Sequence, residues 1–273
     1  MRTLLASYMQ PTTKNKLTAL VITFNEMGYI ERCIDSVRFA DEIIVVDSYS
    51  TDGTYEFLLK DPDVTVFRHP FENFTRQKTV ALEKASNDWV LFLDADEVVT
   101  PELEQEIRAT VDSETPHAAF WFYRKFMFKQ APLRFSGWQT DKNYRLFRKS
   151  SASFTDCKLV HETLEVNGSS GILENKLIHY CYKDYSDYRN KMLHYGRLKA
   201  KEDFYKEKGF SYLLMGIKPI WKFIHHYIVR LGFLDGKKGV TICYLNALGV
   251  WERYRELKRL EAKNKLTTYL VMP

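Results

Sequence analysis

Four short apolar runs punctuate the first hundred residues: "LTALVIT" (17–23), "DEIIVVD" (41–47), "VTVF" (64–67) and "WVLFLD" (89–94). Their apolar character is nearly continuous rather than alternating, the pattern of strands covered on both faces. Between them the chain reads as helix at about 27–39, 53–60 and 74–86, the last with Val80, Ala81 and Ala85 on one face. Strand–helix alternation of this kind predicts right-handed crossovers and a doubly wound, mostly parallel α/β sheet. A fresh helix begins at Pro101, where proline in the first turn precedes Glu102, Glu104 and Glu106, acids that favour a helix N-terminus.

Ligands of such sheets gather beyond the carboxyl ends of the strands. The first run leads into Thr23-Phe24-Asn25-Glu26, the second into Asp47-Ser48-Tyr49-Ser50-Thr51-Asp52-Gly53-Thr54, the fourth into Asp94-Ala95-Asp96-Glu97. Three polar and acidic loops therefore fall on one sheet edge, where one ligand can touch all of them. Three carboxylates in four positions repel one another unless water or a cation screens them. One reading of Asp94-x-Asp96 is a loop turning to solvent after a buried strand. The other is a site for a hard divalent cation, Mn2+ or Mg2+, which favours carboxylate and phosphate oxygens and keeps positions open for substrate. In "VVDSYSTDGT", Ser50 or Asp52 can cap a helix starting near Thr54, and Asp47 can accept from a nucleobase or ribose. No Gly-x-Gly-x-x-Gly or Walker loop is present, so dinucleotide and ATP-loop readings fall away.

From about residue 116 the pattern turns mixed and aromatic. Strands are expected at 117–128, 142–149, 160–166 and 175–182, with a turn at Gly168/Gly171, and helices from Asp184, at 211–231 and at 239–262. Cys33, Cys157, Cys181 and Cys243 form no Cys-x-x-Cys pair, which argues against structural zinc and for free thiols in a reducing compartment. The opening "MRTLLASYMQ" has too short an apolar run for a signal peptide, and no window reads as a membrane span.

"ALVITFNE", "EIIVVDSYSTDGT" and "DWVLFLDADE", in this order and spacing, resemble the nucleotide half of family-2 GT-A inverting glycosyltransferases, over about residues 17–165. "VHE" at 160–162 and "GFLDGKKG" further resemble the bacterial lipopolysaccharide-core branch of that family. The resemblance implies a GT-A (Rossmann-like) fold with a C-terminal helical extension, divided as 16–115 for nucleotide-sugar and metal, 116–183 for acceptor, and 184–273 as a basic, aromatic helical region. It implies a nucleoside-diphosphate sugar donor, a UDP-sugar being expected, and a lipid-linked or lipopolysaccharide-type acceptor at the inner face of the cytoplasmic membrane.

The same resemblance assigns residues. Thr23, Asn25, Glu26 and Asp47 would hold the nucleoside, and Asp94 and Asp96 the metal and ribose. A basic residue on the third helix would meet the diphosphate, with Arg76 and Lys78 the candidates; the family's usual Arg-Asn is Lys78-Thr79 here. Glu162 is the expected base, since an acceptor hydroxyl must lose a proton as it attacks. His161 would ligate the metal or orient Glu162, although strand alternation alone also explains both residues. Glu97 is the second candidate for the base, although its position suits support behind the metal better. His117, His179 and His194 are given no role. The rivals are a sugar-nucleotide pyrophosphorylase, for which "TFNEMGYIERC" lacks the Gly-rich loop, and a non-catalytic nucleotide-sugar binder.

Charge is uneven. The whole chain carries +5, but residues 184–265 hold 18 Lys/Arg against 9 Asp/Glu. That excess, interleaved with aromatics, predicts an anionic membrane surface as a peripheral partner. No nucleic acid is expected, because no recognised binding motif accompanies the charge.

Overall fold

The computed structural model describes residues 15–137, 141–155, 163–182 and 184–271. Strands β1 (Leu17–Thr23), β2 (Glu42–Asp47), β3 (Val64–Arg68) and β4 (Trp89–Asp94) pair in parallel in the order β3-β2-β1-β4. Helices α1 (Ile30–Asp35), α2 (Thr54–Leu58) and α3 (Phe74–Lys84) make the crossovers, and β5 (Glu97–Val98) and α4 (Pro101–Asp112) follow. The sheet then becomes mixed. β6 (His117–Phe128) pairs with the short β7 (Ala131–Pro132), and β8 (Lys142–Arg148) inserts antiparallel between β4 and β6. β9 (Ala152–Thr155) and β10 (Thr163–Val166) form a separate ribbon, and β11 (Ser169–Tyr182) lies parallel to β6 and antiparallel to β5. Helices α5 (Tyr185–Tyr205), α6 (Tyr212–Ile224) and α7 (Lys237–Val271) complete the chain.

The continuous apolar strands divide their residues between two layers, as the two-residue repeat of a strand requires. Leu17, Ala19, Val21, Leu91 and Leu93 join one cluster with Ile30 and Ile34 of α1, Leu58 of α2, and Leu103 and Ile107 of α4. Leu20, Ile22, Ile44, Val46, Val90 and Phe92 join the other with Val80, Ala81 and Leu82 of α3. Each valine, leucine, isoleucine or phenylalanine among them contributes roughly 1.5–3 kcal/mol when fully buried. Helix starts follow local chemistry: the Asn73 side chain accepts from Arg76 N at 2.7 Å, and Thr100 Oγ1 caps α4 through Leu103 N, with Pro101 just inside.

Three expectations change. The first helix is only Ile30–Asp35, because Asn25 to Met27 are drawn into the loop after β2, as described below. Gly171 is no turn residue but lies within β11, where an added Cβ would stand 2.6 Å from the Phe120 ring; Gly168, at φ 133°, makes the turn alone. The segment 211–231 is not one regular helix: α6 carries Pro219 internally and passes into a π-helical turn at His225–Val229.

The C-terminal helices pack on the sheet through Phe126, Phe128, Leu133 and Cys181, which meet Tyr188, Ile242 and Leu245. α5 crosses α7 at glycines: a Cβ on Gly196 would stand 2.5 Å from the Gly249 carbonyl oxygen. Backbone cannot swing aside as a side chain can. Gly196→Ala is therefore expected to lower stability by about 1–3 kcal/mol, despite alanine's better helix propensity, as a reduced melting temperature with unchanged helical circular dichroism. The "GFLDGKKG" segment is a clasp. Asp235 accepts from Arg134 N (3.0 Å) and Phe135 N (2.9 Å), and a Cβ on Gly239 would stand 1.8 Å from the Gly232 carbonyl oxygen. Among the described residues, no helix is long and apolar enough to cross a membrane.

Candidate active site

The loops after β1 and β2 are built as one unit. Asn25 adopts φ 56°, a left-handed conformation that asparagine tolerates better than most residues. Its N–H donates to Ser50 Oγ at 2.9 Å, and its Oδ1 accepts from Thr51 N at 2.7 Å. Glu26 N donates to Thr54 Oγ1 (3.1 Å) and Met27 N to Asp52 Oδ2 (3.1 Å). Asp52 also takes Thr54 N and the Thr54 hydroxyl (2.6 Å), so it is the residue that secures the start of α2; Ser50 ties the two loops together instead. Burial would raise the Asp52 carboxyl pKa, but the Thr54 and Met27 donors hold it below the usual carboxylate range.

Asp47 is wholly buried at the tip of β2, and its carboxylate accepts from Ser50 N at 3.0 and 3.3 Å. Arg68 Nε lies 3.6 Å away, and its guanidinium sits against the rings of Tyr49 and Tyr55. Beside it, Thr23 Oγ1 is buried with no hydrogen-bond partner among the described residues. A buried hydroxyl without a partner is costly in a finished structure and is the kind of group a polar ligand satisfies.

The acidic loop after β4 is not left to repel itself. Arg145, buried on β8, places Nη2 at 2.5 Å from Asp94 Oδ2 and 2.6 Å from Glu97 Oε1. Glu97 is fully buried, meets Arg124 Nη1 at 3.4 Å, and accepts Asp94 N on its other oxygen at 3.1 Å. Asp96 Oδ2 lies 3.3 Å from His179 Nε2, brought there because β5 pairs Glu97 with His179 of β11. The expectation that like charges need a screening cation is met by the protein's own Arg145, with Arg124 and His179 beside it.

The electrostatics follow from this arrangement. Burial pushes the Asp94 carboxyl pKa up, but Arg145 and then Lys78 outweigh it and hold the group well below the carboxylate range. Asp96 is also lowered, against its burial, chiefly by His179. The His179 imidazole is in turn raised by Asp96 despite burial, which favours its charged form. Both aspartates keep some surface open, with side chains 31% and 16% exposed. Among the described residues, no group of three or more His, Cys, Asp or Glu side chains is placed to hold a metal ion. Two partly open carboxylates are nonetheless the donor set with which Mg2+ or Mn2+ shares phosphate and water oxygens.

The sequence-assigned residues thus divide. Thr23, Asn25, Glu26 and Asp47 meet at the ends of β1 and β2, and Asp94 and Asp96 at the end of β4. Of the two third-helix candidates, Lys78 is buried against the rings of Phe92 and Phe154 with its charge acting on Asp94, while Arg76 is exposed. His161 and Glu162 lie outside the described residues. Sequence reasoning missed Arg145 and Arg124 and gave His179 no role, where the structure pairs it with Asp96; nothing local marks any of the three, since each reaches the cluster only through long-range strand pairing.

Residues 18–162 match the family model described as glycosyl transferase family 2. The chain is 29% identical over 263 residues to an uncharacterized glycosyltransferase of Rickettsia prowazekii (strain Madrid E), covering 92% of this chain and 89% of the relative. It is 24% identical over 253 residues to the lipopolysaccharide core biosynthesis glycosyltransferase LpsC of Rhizobium meliloti (strain 1021), covering 88% and 94%. Among solved structures it resembles the mannosyltransferase PcManGT of Pyrobaculum calidifontis in complex with GDP-Man and Mn2+, at 16% identity and a TM-score of 0.47, covering 94% of this chain and 82% of that one.

Proposed function

The chain belongs to glycosyl transferase family 2, whose match takes in more than half of its length, and on that premise we propose that it moves a sugar, with inversion, from a UDP-sugar to a hydroxyl of a lipopolysaccharide-core or other lipid-linked acceptor. The observation that carries the reading is the pair Asp94 and Asp96 at the end of β4, kept ionised by Arg145 and His179 yet partly open. The likeness to a lipopolysaccharide core glycosyltransferase supports the acceptor class. Such an acceptor places the protein at the inner face of the cytoplasmic membrane, the anionic surface that the basic second half suits.

In this mechanism the joined loops after β1 and β2 seat the nucleoside, with Thr23 Oγ1 and the Asn25 and Asp47 region facing it. Lys78 adds positive charge on the Asp94 side, where the diphosphate would lie. Asp94 and Asp96, with His161 as a third ligand, would hold a Mn2+ or Mg2+ ion, which when bound neutralises charge on the departing diphosphate. Arg145 fixes Asp94 against Glu97, so the carboxylate is set before substrate arrives. Glu162 takes the acceptor proton as the hydroxyl oxygen bonds to the anomeric carbon. The bond from that carbon to the diphosphate oxygen breaks on the opposite face.

The test is a panel of nucleotide sugars followed by thermal shift. At a hundredfold excess over Kd a true donor stabilises by about 2.7 kcal/mol, or several degrees for a chain of this size. One UDP-sugar is expected to do so, and only when Mn2+ or Mg2+ is supplied. Equal stabilisation without any divalent ion would remove the metal from the reading, and a response to no nucleotide sugar would remove the donor.

A further inference from the structure

α6 and the π-helical turn that follows it contain no buried residue. Leu213, Ile217, Ile220, Ile224 and Ile228 recur at helical spacing down one face and are 39% to 69% exposed, with the Trp221 ring exposed beside them. Scattered apolar residues on a surface are ordinary, but a continuous stripe marks a contact face. At 13 residues α6 is about 20 Å long, too short to cross a hydrocarbon core of roughly 30 Å, so a bilayer can take it only lying in the interface.

Charge identifies the partner. Between Glu207 and Asp235 there is no acidic residue, while Lys218, Lys222 and Arg230 lie within that stretch and Lys237 and Lys238 just after it. Lys218, Trp221 and Lys222 of α6, with Val250, Arg253 and Tyr254 of α7, line a cleft of about 310 Å³ that contains no carboxylate. Arg253 has a partner in Asp203. Lys222 is different: burial first, then Arg230, pushes its ammonium pKa down, and no carboxylate offsets them. An anion in the cleft would relieve both effects. The Asp235 clasp on Arg134 and Phe135 fixes this end of the chain to the sheet domain, so docking here would also orient the active site.

We propose that α6 and its following turn dock the protein on anionic phospholipid, the apolar stripe entering the interface and the Lys218–Lys222–Arg253 cleft taking a headgroup phosphate. This deepens the reading of a lipid-linked acceptor and rests on it only for its purpose. The experiment floats the full chain with vesicles of phosphatidylcholine alone and of phosphatidylcholine with phosphatidylglycerol. Binding is expected with phosphatidylglycerol present and at least about tenfold weaker without it. A basic residue at such a surface is worth roughly fivefold in partitioning, so the double change Lys218→Gln, Lys222→Gln is expected to weaken binding about twenty-fivefold. Ile217→Asp with Ile220→Asp is expected to abolish it. Both variants should keep the wild-type donor response, since neither touches the catalytic residues. The proposal is overturned if the wild type ignores phosphatidylglycerol vesicles, if both variants bind as it does, or if the isoleucine changes dissolve a dimer in light scattering and leave vesicle binding intact. Vesicle binding by a chain that responds to no nucleotide sugar would defeat the enzymatic reading and leave this surface standing.

Discussion

Replacing Arg145 with methionine is expected to cost about 3–5 kcal/mol of folding stability, the usual loss when one partner of a buried charge pair is removed. The reason is local. One guanidinium nitrogen serves both Asp94 and Glu97 at 2.5 and 2.6 Å, and Glu97 is wholly out of water. Without it, the two carboxylates face each other with Arg124, at 3.4 Å from Glu97, as the nearest remaining guanidinium, and with Lys78 and His179 acting more weakly on Asp94. At about 2–4 °C per kcal/mol for a large domain, the melting temperature should fall by roughly 10 °C.

The pH dependence separates this cause from a simple packing defect. In the wild type the Asp94 pKa is depressed, so its contribution to stability is present above the unfolded value of roughly 3.9 and lost as pH falls through the lower folded value. In Arg145→Met the buried carboxylates are instead driven to take up protons, and acid stabilises them. The gap between variant and wild type should therefore narrow steadily from neutral pH toward the carboxylate range. Glu97→Gln added to Arg145→Met should recover part of the loss, because it removes one unpaired charge. A gap that is constant with pH, or a loss under about 1 kcal/mol, would show that Arg145 is not what holds the cluster.

That cluster also marks where reading the sequence stopped. β1 to β4 were legible because a continuous apolar run has few other uses, and Pro101 with the acids after it announced the start of α4. The loop ends were legible for the same reason, since strand tips inherit their position from the strands. Arg145 and His179 were not. Each is separated from its aspartate by dozens of residues, and only the insertion of β8 beside β4 and of β11 beside β5 brings them there. Nothing in "KNYRLFRK" tells Arg145 from Arg148 as the one that faces a carboxylate. Gly171 misled because glycine most often signals a turn; here it is small so that the Phe120 ring can lie against β11.

Asp94→Asn and Asp96→Asn should lower sugar transfer by about three orders of magnitude each, while the chain stays folded. A divalent ion on a departing diphosphate supplies several kcal/mol of transition-state stabilisation, and about 1.4 kcal/mol is a factor of ten in rate. Asparagine preserves shape and can still accept from Arg145 or His179, but it withdraws the charge that a dication needs. Folding is spared because Glu97 remains the buried partner of Arg145 at 2.6 Å. The kinetic signature distinguishes this from a binding defect. The loss should appear in kcat and in the Mn2+ or Mg2+ concentration required for both transfer and donor-induced stabilisation, whereas a nucleoside-loop change such as Thr23→Val should raise donor KM with the ion requirement unchanged. Glu162→Gln should abolish transfer yet leave donor-induced stabilisation intact, since the proposed base takes no part in holding the nucleotide. Transfer that continues undiminished in a chelator-treated double asparagine variant would break the link between this carboxylate pair and catalysis, and Arg145 would then be holding together nothing more than a well-neutralised turn.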